Sequence, residues 1–513
     1  MTCYRLVPVS KAVVGIALAP PVARPAATFL LLAGLGLSLS GCATFSADAG
    51  LSVAQATASA ELAKSITKVT TDAEAATVRS QVERLARSSL TPDSAVQIAL
   101  LNNRGLQAAF NDLGKSEADF VRATLPPTPR FSYARLTGPG ELDVTYQVVG
   151  SLFELATLPA RQAIAEKRFR AAQYRAAEEV LRLAAEARRQ YFRTVAANQT
   201  VGFLEQAIVS AASASEIAKQ LGETGALNKL EQAREHAFYG ELGAQLARAR
   251  VQQRVEREAL VRQLGFWGRN TDFRLPASLP PLPKKIQGSD DLEALALRKR
   301  VDIVVARADL LALAGEYNLG NATRFINAFD FGFTSNPETT TTAGTASDGT
   351  PTVVTDRVQR RGPSIDFDIP IYDFGESAVR GAREAYLAEA NRLAERAVNA
   401  RSEVREAYLR YRGNYDITRH YESTVLPINK TIQDEALLQY SGMLVDVTQL
   451  IIDARARIFS NIQAIEARRD FWIAATDLKA AIVGGGFGPG GDSVSGATTT
   501  AVEGPAAGGA AGG

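Results

Sequence analysis

Few side chains in this sequence could carry out catalysis or hold a metal ion. The only histidines are His236 and His420, and neither has a second histidine or a cysteine at metal-ligand spacing. A Ser-His-Asp arrangement has almost nothing to build on, and the glycine-rich run at 484–491 lacks the Lys-Ser/Thr of a phosphate-binding loop. The carboxylates lie mostly on charged helical stretches, where they are ordinarily solvated. The sequence predicts that the protein is not an enzyme and has no catalytic residue, cofactor or metal site.

Cys42 is the one residue whose setting predicts covalent chemistry. Three basic residues precede a short apolar run at 26–39, which ends in the tetrad Leu39-Ser40-Gly41-Cys42. Such a segment is typical of an export signal and is too short to span a membrane. The tetrad resembles the bacterial lipobox, so residues 1–41 are predicted to be a lipoprotein signal peptide and Cys42 to carry lipid, including palmitate. An ordinary signal peptide with a coincidental cysteine is the alternative. In such lipoproteins an aspartate directly after the cysteine tends to retain the protein in the inner membrane, so Ala43 favours the outer membrane.

Loss of this peptide changes the charge and the thiol content. It removes three basic residues and no acidic ones, so the formal net charge falls from +2 to −1. A near-neutral chain argues against nucleic acid as a partner. Cys3 leaves with the peptide and Cys42 carries lipid, so no thiol remains to form a disulfide.

The stretches that begin at Leu152 and at Ile371, about 220 residues apart, have the same organisation. Each predicts a helix, two strands, a long helix and a further helix, which indicates a duplicated domain. The predicted segments are the signal peptide (1–41), an N-terminal lipidated segment (42–88), a first repeat (89–275), a Pro-rich linker (276–288), a second repeat (289–483) and a disordered Gly/Ala-rich tail (484–513).

The helices are predicted to be unusually long. Residues 376–440 contain only Gly381, Gly413 and Pro427 as helix-weakening residues, and a helix of that length would measure roughly 100 Å. Apolar residues, mostly alanine, recur at alternating spacings of three and four, which predicts a coiled-coil-like seam of closely packed helices. A long soluble bundle is the alternative at this stage.

The predicted strands have one aromatic and one acidic or small face. Phe329, Phe331 and Phe333 alternate with Asp330, and Ile365 and Phe367 alternate with Asp366 and Asp368. A weaker pair contains Phe131, Tyr133, Val144, Tyr146 and Val148, joined at residues 137–140. The polar segment 334–362 is predicted to be a long loop. Lipid-facing aromatics opposite polar positions are typical of outer-membrane barrels; hairpins packed on a helical core are the alternative.

Four strands cannot close a membrane barrel, because the open edges would leave backbone groups unpaired in lipid. The smallest membrane barrels have about eight strands. We therefore expect the protein to oligomerise, and four strands per chain favour a homotrimer with a shared barrel. The three acids Asp330, Asp366 and Asp368 would then face the barrel lumen.

These features together resemble the TolC/OprM family of outer-membrane efflux proteins over residues 89–482. Residues 90–95 and 99–109 are similar to its opening helix. Residues 370–375 are similar to its strand-to-helix corner, which includes Pro370 and Gly375, and where Gly375 permits the change of backbone direction. Residues 440–447 look like its turn between long helices. The first repeat departs from the corner pattern, because Ala156 stands where Gly375 does.

The resemblance implies a mainly α fold with a small β part. The duplicated helix-strand-strand-helix-helix repeat would form a long α-helical periplasmic barrel and contribute four strands to a trimeric outer-membrane β-barrel. It also implies two partners, a periplasmic adaptor (membrane fusion) protein and an inner-membrane transporter, besides contact with outer membrane lipid.

The resemblance further implies a gate at the periplasmic tip. Asp446 and Tyr440 match the family's narrowing acid and its latching tyrosine, Gln449 stands where a second acid is common, and Lys229 takes the place of Asp446 in the first repeat. A mixed ring of Asp446 and Lys229 is the hypothesis, and solvated turn residues are the alternative. Three functions stay open: a passive export duct for small molecules or metals, a duct for secreted polypeptides, and a periplasmic scaffold without a pore.

Overall fold

The computed structural model describes residues 45–225, 227–268, 273–347, 351–442, 444–445, 447–484 and 486. The predicted signal peptide, Cys42, Asp446 and nearly all of the predicted tail lie outside the described residues. Among the described residues, no helix has both the length and the apolar character needed to cross a bilayer.

The order of elements is that of a duplicated unit behind a short N-terminal segment. Two helices come first, α1 (Ser52–Thr57) and α2 (Asp72–Arg87). The first unit contains α3 (Pro92–Asn102), α4 (Arg104–Thr124), β1 (Arg130–Gly138), β2 (Glu141–Ser151), α5 (Leu152–Glu223) and α6 (Lys229–Leu264). The second contains α7 (Leu292–Lys299), α8 (Val301–Ala322), β3 (Ala328–Thr345), β4 (Pro351–Asp368), α9 (Glu376–His420), α10 (Leu426–Ser441) and α11 (Val447–Val483).

The four strands form one antiparallel sheet in the order β1-β2-β3-β4. β2 pairs with β3 although about 180 residues separate them along the chain, so the two units share the sheet. The predicted loop at 334–362 was wrong in extent, because β3 continues to Thr345 and β4 begins at Pro351. Thr and Val are enriched in strands, and the ladder runs unbroken from Ala328↔Asp368 to Thr345↔Pro351, which outweighs the polar composition that suggested a loop.

The predicted long helices are confirmed. α5 has 72 residues, about 108 Å at the usual rise. α9 and α10 continue one another through a single π-helical turn, Tyr421–Val425, which ends two residues before Pro427. Because proline has no N–H and collides with the carbonyl four residues earlier, the wider turn lets the helix pass it.

Alanine-rich seams hold the long helices together. In α5 the buried seam contains Ala176, Val180, Leu183 and Ala187, and in α9 it contains Ala400, Val404, Ala407 and Tyr411. These are positions that the spacing of three and four predicts. Small side chains allow close approach of neighbouring helices, while Tyr411 stacks on Phe471 of α11 at 5.5 Å.

The segment between α6 and α7 is not a free linker. Leu279 is buried and its N–H donates to Gln199 of α5, while Trp472 of α11 donates from Nε1 to the Pro280 carbonyl at 3.0 Å. The prolines keep this segment extended, and its carbonyls accept hydrogen bonds from Asn198 of α5 as well as from Trp472. It therefore joins the two units mechanically as well as covalently.

Candidate functional site

One face of the sheet is acidic and polar. Asp330 of β3 lies directly opposite Asp366 of β4, and Asp368 lies two residues further on the same face. Asp366 and Asp368 are exposed and Asp330 is half-buried. Like charges directly opposite each other destabilise a sheet unless solvent or a counter-ion screens them, so this face requires water or cations.

The other face is aromatic. Phe329 and Phe367 stack at 4.9 Å between ring centroids, and Tyr133 and Tyr146 lie 5.3 Å apart. This face also has exposed apolar side chains at Phe131, Val148, Phe331, Phe333, Val353 and Ile365, and half-buried ones at Leu142 and Val144. A contiguous exposed apolar patch of this kind marks a surface that contacts a membrane or another protein.

The corner between β4 and α9 has a strained backbone at two successive residues. Phe374 and Gly375 have φ of 49° and 74°, in the left-handed region that favours glycine. A β-carbon on Gly375 would collide with the backbone oxygen of Arg324. The predicted role of Gly375 as the residue that allows this turn therefore has a geometric reason. Pro370 contributes the carbonyl that accepts the Phe374 N–H at 2.7 Å.

Asp373 holds the same corner together. Its carboxylate accepts from the Gly375 N–H at 3.0 Å and from the Ser377 hydroxyl at 2.5 Å. These hydrogen bonds, led by the one from Ser377, lower the pKa of Asp373 below its usual value. Arg324 donates to the Phe374 carbonyl and pairs with Glu376 at 3.1 Å, so the start of α9 is fixed to the end of α8.

The first unit turns its corner differently. β2 ends at Ser151 and α5 begins at the next residue, with the Ser151 hydroxyl accepting the Glu154 N–H at 3.3 Å. Ala156 lies inside the helix, so it is not the counterpart of Gly375. A serine N-cap supplies the polar partner that the first turn needs, and no left-handed residue is required there.

The predicted tip residues lie on three different helices. Lys229 is exposed at the first residue of α6, Tyr440 is half-buried near the end of α10, and Gln449 donates to Asp453 at 3.0 Å on its own helix. Gln449 also lines an open groove of about 560 Å³ between α10 and α11. Asp446 lies outside the described residues, so the mixed ring of Asp446 and Lys229 stays a prediction.

The structure adds a contact near the tip that the sequence did not predict. Arg455 of α11 pairs with Glu241 of α6 at 3.3 Å and lies 5.0 Å from the centre of the Phe238 ring. Glu235 is 4% exposed there, and burial raises its pKa, an effect that Arg455 and His236 partly oppose. The sequence predicts solvated acids on such helices, because residue spacing cannot show which charged residue faces another helix pair.

A second unpredicted polar cluster joins four helices. Arg300, between α7 and α8, pairs with Asp302 at 2.7 Å and with Glu403 of α9 at 2.5 Å. Arg189 of α5 pairs with Asp477 of α11 at 2.5 Å, and both side chains are buried. Burial, together with the nearby Asp302, raises the pKa of Glu178 to about 7.

No protein-family model matches the sequence, and no curated protein matches it. The fold, however, is similar to several solved structures. The Campylobacter jejuni CmeC outer membrane channel is 15% identical with a TM-score of 0.64, over 78% of this chain and 89% of that chain. The outer membrane protein VceC from Vibrio cholerae is 14% identical with a TM-score of 0.62, over 80% and 97%. The open-state MtrE outer membrane channel of Neisseria gonorrhoeae is 18% identical with a TM-score of 0.60, over 76% and 88%. At these identities the likeness concerns the fold.

Proposed function

Because the chain has the fold of the TolC/OprM-type outer-membrane channels, we propose that it is the outer-membrane subunit of a tripartite efflux assembly. It acts as a passive export duct that receives cargo from an inner-membrane transporter through a periplasmic adaptor protein. The observation that carries the proposal is the sheet, aromatic on one face and acidic on the other, joined to helices about 100 Å long. A lipid-facing barrel wall and a water-filled lumen require those two faces.

The channel is a homotrimer. The edge strands β1 and β4 each have one unpaired side, and such an edge cannot face lipid. Three copies place β4 of one protomer against β1 of the next and close a ring of twelve strands. The even number and the size lie within the range of outer-membrane barrels.

The lumen favours cations. Seven acids lie on the polar face of the sheet and only two arginines, Arg130 and Arg360, lie with them; the acids are Glu141, Asp143, Asp330, Glu338, Asp356, Asp366 and Asp368. A surplus of five negative charges per protomer attracts cations by the same electrostatics that charged rings use in channels. The lipid on Cys42 adds a second attachment to the outer membrane.

The closed state depends on contacts at the periplasmic tip. Asp446 and Lys229 form the proposed mixed-charge ring, Tyr440 and Gln449 lie beside it, and Arg455 with Glu241 ties α11 to α6. Individual exposed ion pairs are worth only about 0–1 kcal/mol, so a closed state held by several of them can open when an adaptor binds. Unchanged single-channel gating and selectivity in Asp446→Ala would contradict the ring.

The test is reconstitution of the purified full chain. We expect heat-sensitive trimers in detergent, cation-selective conductance in planar bilayers, and an acyl mass on Cys42 that Cys42→Ala lacks. A water-soluble single copy without conductance would overturn the proposal and favour a scaffold lipoprotein. Conductance blocked by polypeptides and unaffected by small cargo would favour protein secretion.

A further inference from the structure

Three arginines lie on the aromatic face of the sheet. Arg135 of β1 has the parity of Phe131 and Tyr133, and Arg357 and Arg361 of β4 have the parity of Ile365 and Phe367. Since side chains alternate between faces, all three point to the side that the proposed function places against lipid. All three are exposed.

All three arginines lie at or beyond one row of the sheet, on the side away from the helices. Arg361 is opposite Ser335, in the same row as Tyr133 and Tyr146, and Arg135 and Arg357 lie beyond that row, towards the ends of the strands far from the helices. Arg361 is six residues from Phe367, about 20 Å along the strand. Below the row the face is aromatic and aliphatic, and tyrosines mark the boundary, as they do where a barrel leaves the hydrocarbon region.

These three arginines differ from Arg360, on the opposite face, in their ion pairing. Arg360 points to the polar side and pairs with Glu338. Within the described part of the chain, no acidic side chain pairs with Arg135, Arg357 or Arg361. No acid occurs on the aromatic face of any of the four strands. The described residues therefore supply these arginines with no counter-charge, and an external anion could provide one.

The three arginines also lie on the two edge strands. In the proposed trimer β1 of one protomer meets β4 of the next, so each junction gathers Arg135 of one copy near Arg357 and Arg361 of its neighbour. Like charges gathered at a junction oppose association unless an anion lies between them. An anion bound there favours the trimer.

We propose that Arg135, Arg357 and Arg361 form a binding site for the phosphate groups of an outer-leaflet lipid at each protomer junction. This inference rests on the proposed function, which sets the orientation of the sheet. Arginine suits phosphate because its planar fork donates two parallel hydrogen bonds, and basic clusters beside a bilayer surface recognise anionic headgroups. The end of the sheet far from the periplasmic helices faces the outer leaflet, which selects a phosphorylated outer-leaflet lipid over an inner-leaflet phospholipid.

The test compares two sets of arginines on the same sheet. The variant Arg135→Gln/Arg357→Gln/Arg361→Gln removes the site, and the control Arg130→Gln/Arg360→Gln removes the two arginines of the polar face. Native mass spectrometry of full-chain trimers in detergent measures binding of bis-phosphorylated lipid A, its fully dephosphorylated form and phosphatidylglycerol. We expect lipid A to bind the wild type and the control, and to bind the triple variant roughly tenfold more weakly or worse. The dephosphorylated form should bind the wild type weakly.

Two outcomes would overturn the inference: equal lipid A binding by the triple variant and the wild type, or equal binding of phosphorylated and dephosphorylated lipid. Stronger binding of phosphatidylglycerol than of lipid A would overturn the assignment to the outer leaflet. Conductance measurements distinguish failure of the lipid site from failure of the proposed function. If the triple variant conducts like the wild type yet retains lipid A, only the lipid site fails. If no variant and no wild-type protein conducts, the channel itself fails.

Discussion

Arg455 of α11 pairs with Glu241 of α6, with 3.3 Å between Nη2 and Oε2, and so ties the second pair of long helices to the first. The same guanidinium lies over Phe238 and near the buried Glu235. Arg455 thus contacts an exposed carboxylate and an aromatic ring and lies near a buried carboxyl. These contacts lie where the two helix pairs must separate if the tip widens.

Arg455→Gln should loosen the tip. It removes the ion pair and the cation–π contact and leaves Glu235 without its main favourable charge, so we expect more frequent opening and a higher mean conductance in planar bilayers. Arg250→Gln is the matched control, because Arg250 pairs with Glu205 at 2.8 Å between the two helices of one pair. Identical gating in both variants would show that Arg455 does not restrain the tip.

Gly375→Ala should impair folding of the β4–α9 corner. The new β-carbon meets the Arg324 backbone oxygen and the residue keeps a φ of 74°, at a cost of about 1–3 kcal/mol or more. We expect a lower yield of trimers and a lower apparent Tm. Gly381→Ala, inside α9 with open space around it, should be neutral or stabilising by about 0.5–1 kcal/mol. Equal effects of the two substitutions would contradict the strain argument.

Glu178→Gln should raise stability at alkaline pH. The pKa of Glu178 is raised to about 7 in the folded state, so the folded protein binds the proton more tightly than the unfolded chain does. Stability is therefore lost as pH rises from the ordinary carboxyl pKa through about 7. The neutral glutamine removes that loss, and we expect a gain of about 1–3 kcal/mol at pH 8 and little change at pH 4.5.

The measurement is apparent Tm against pH for wild type and variant. Glu186→Gln is a suitable control, because Glu186 forms a surface pair with Arg182 at 2.8 Å; its removal should lower stability slightly at neutral pH. A Glu178→Gln profile parallel to that of the wild type would mean that Glu178 ionises normally.

The paired acids of the sheet should determine ion selectivity. Asp330→Asn/Asp366→Asn removes two facing negative charges from the polar face, so the reversal potential in a salt gradient should move towards lower cation selectivity. Arg360→Gln removes a positive charge from the same face and should shift it the opposite way. Shifts of the same sign, or none, would place these residues away from the ion path.

Local chemistry explains what the sequence could predict. Alternation of large apolar residues with acidic or small ones, from 329 to 333 and from 365 to 368, is enough to assign two faces to a strand. Alanine at spacings of three and four is enough to assign a packed helix, since both patterns follow from backbone geometry alone. The corner at Gly375 could also be predicted from backbone geometry, because only glycine tolerates that conformation without a β-carbon clash.

What the sequence alone determined is which residues share a face of a strand or a helix. Only the tertiary structure decided which faces meet. It extended β3 and β4 through the polar segment because a partner strand lay alongside, began α5 at Leu152 because Ser151 could cap it, and set Arg455 against Glu241 and Arg189 against Asp477 across hundreds of residues. Such pairings depend on the three-dimensional path of the chain, and neither residue spacing nor composition records them.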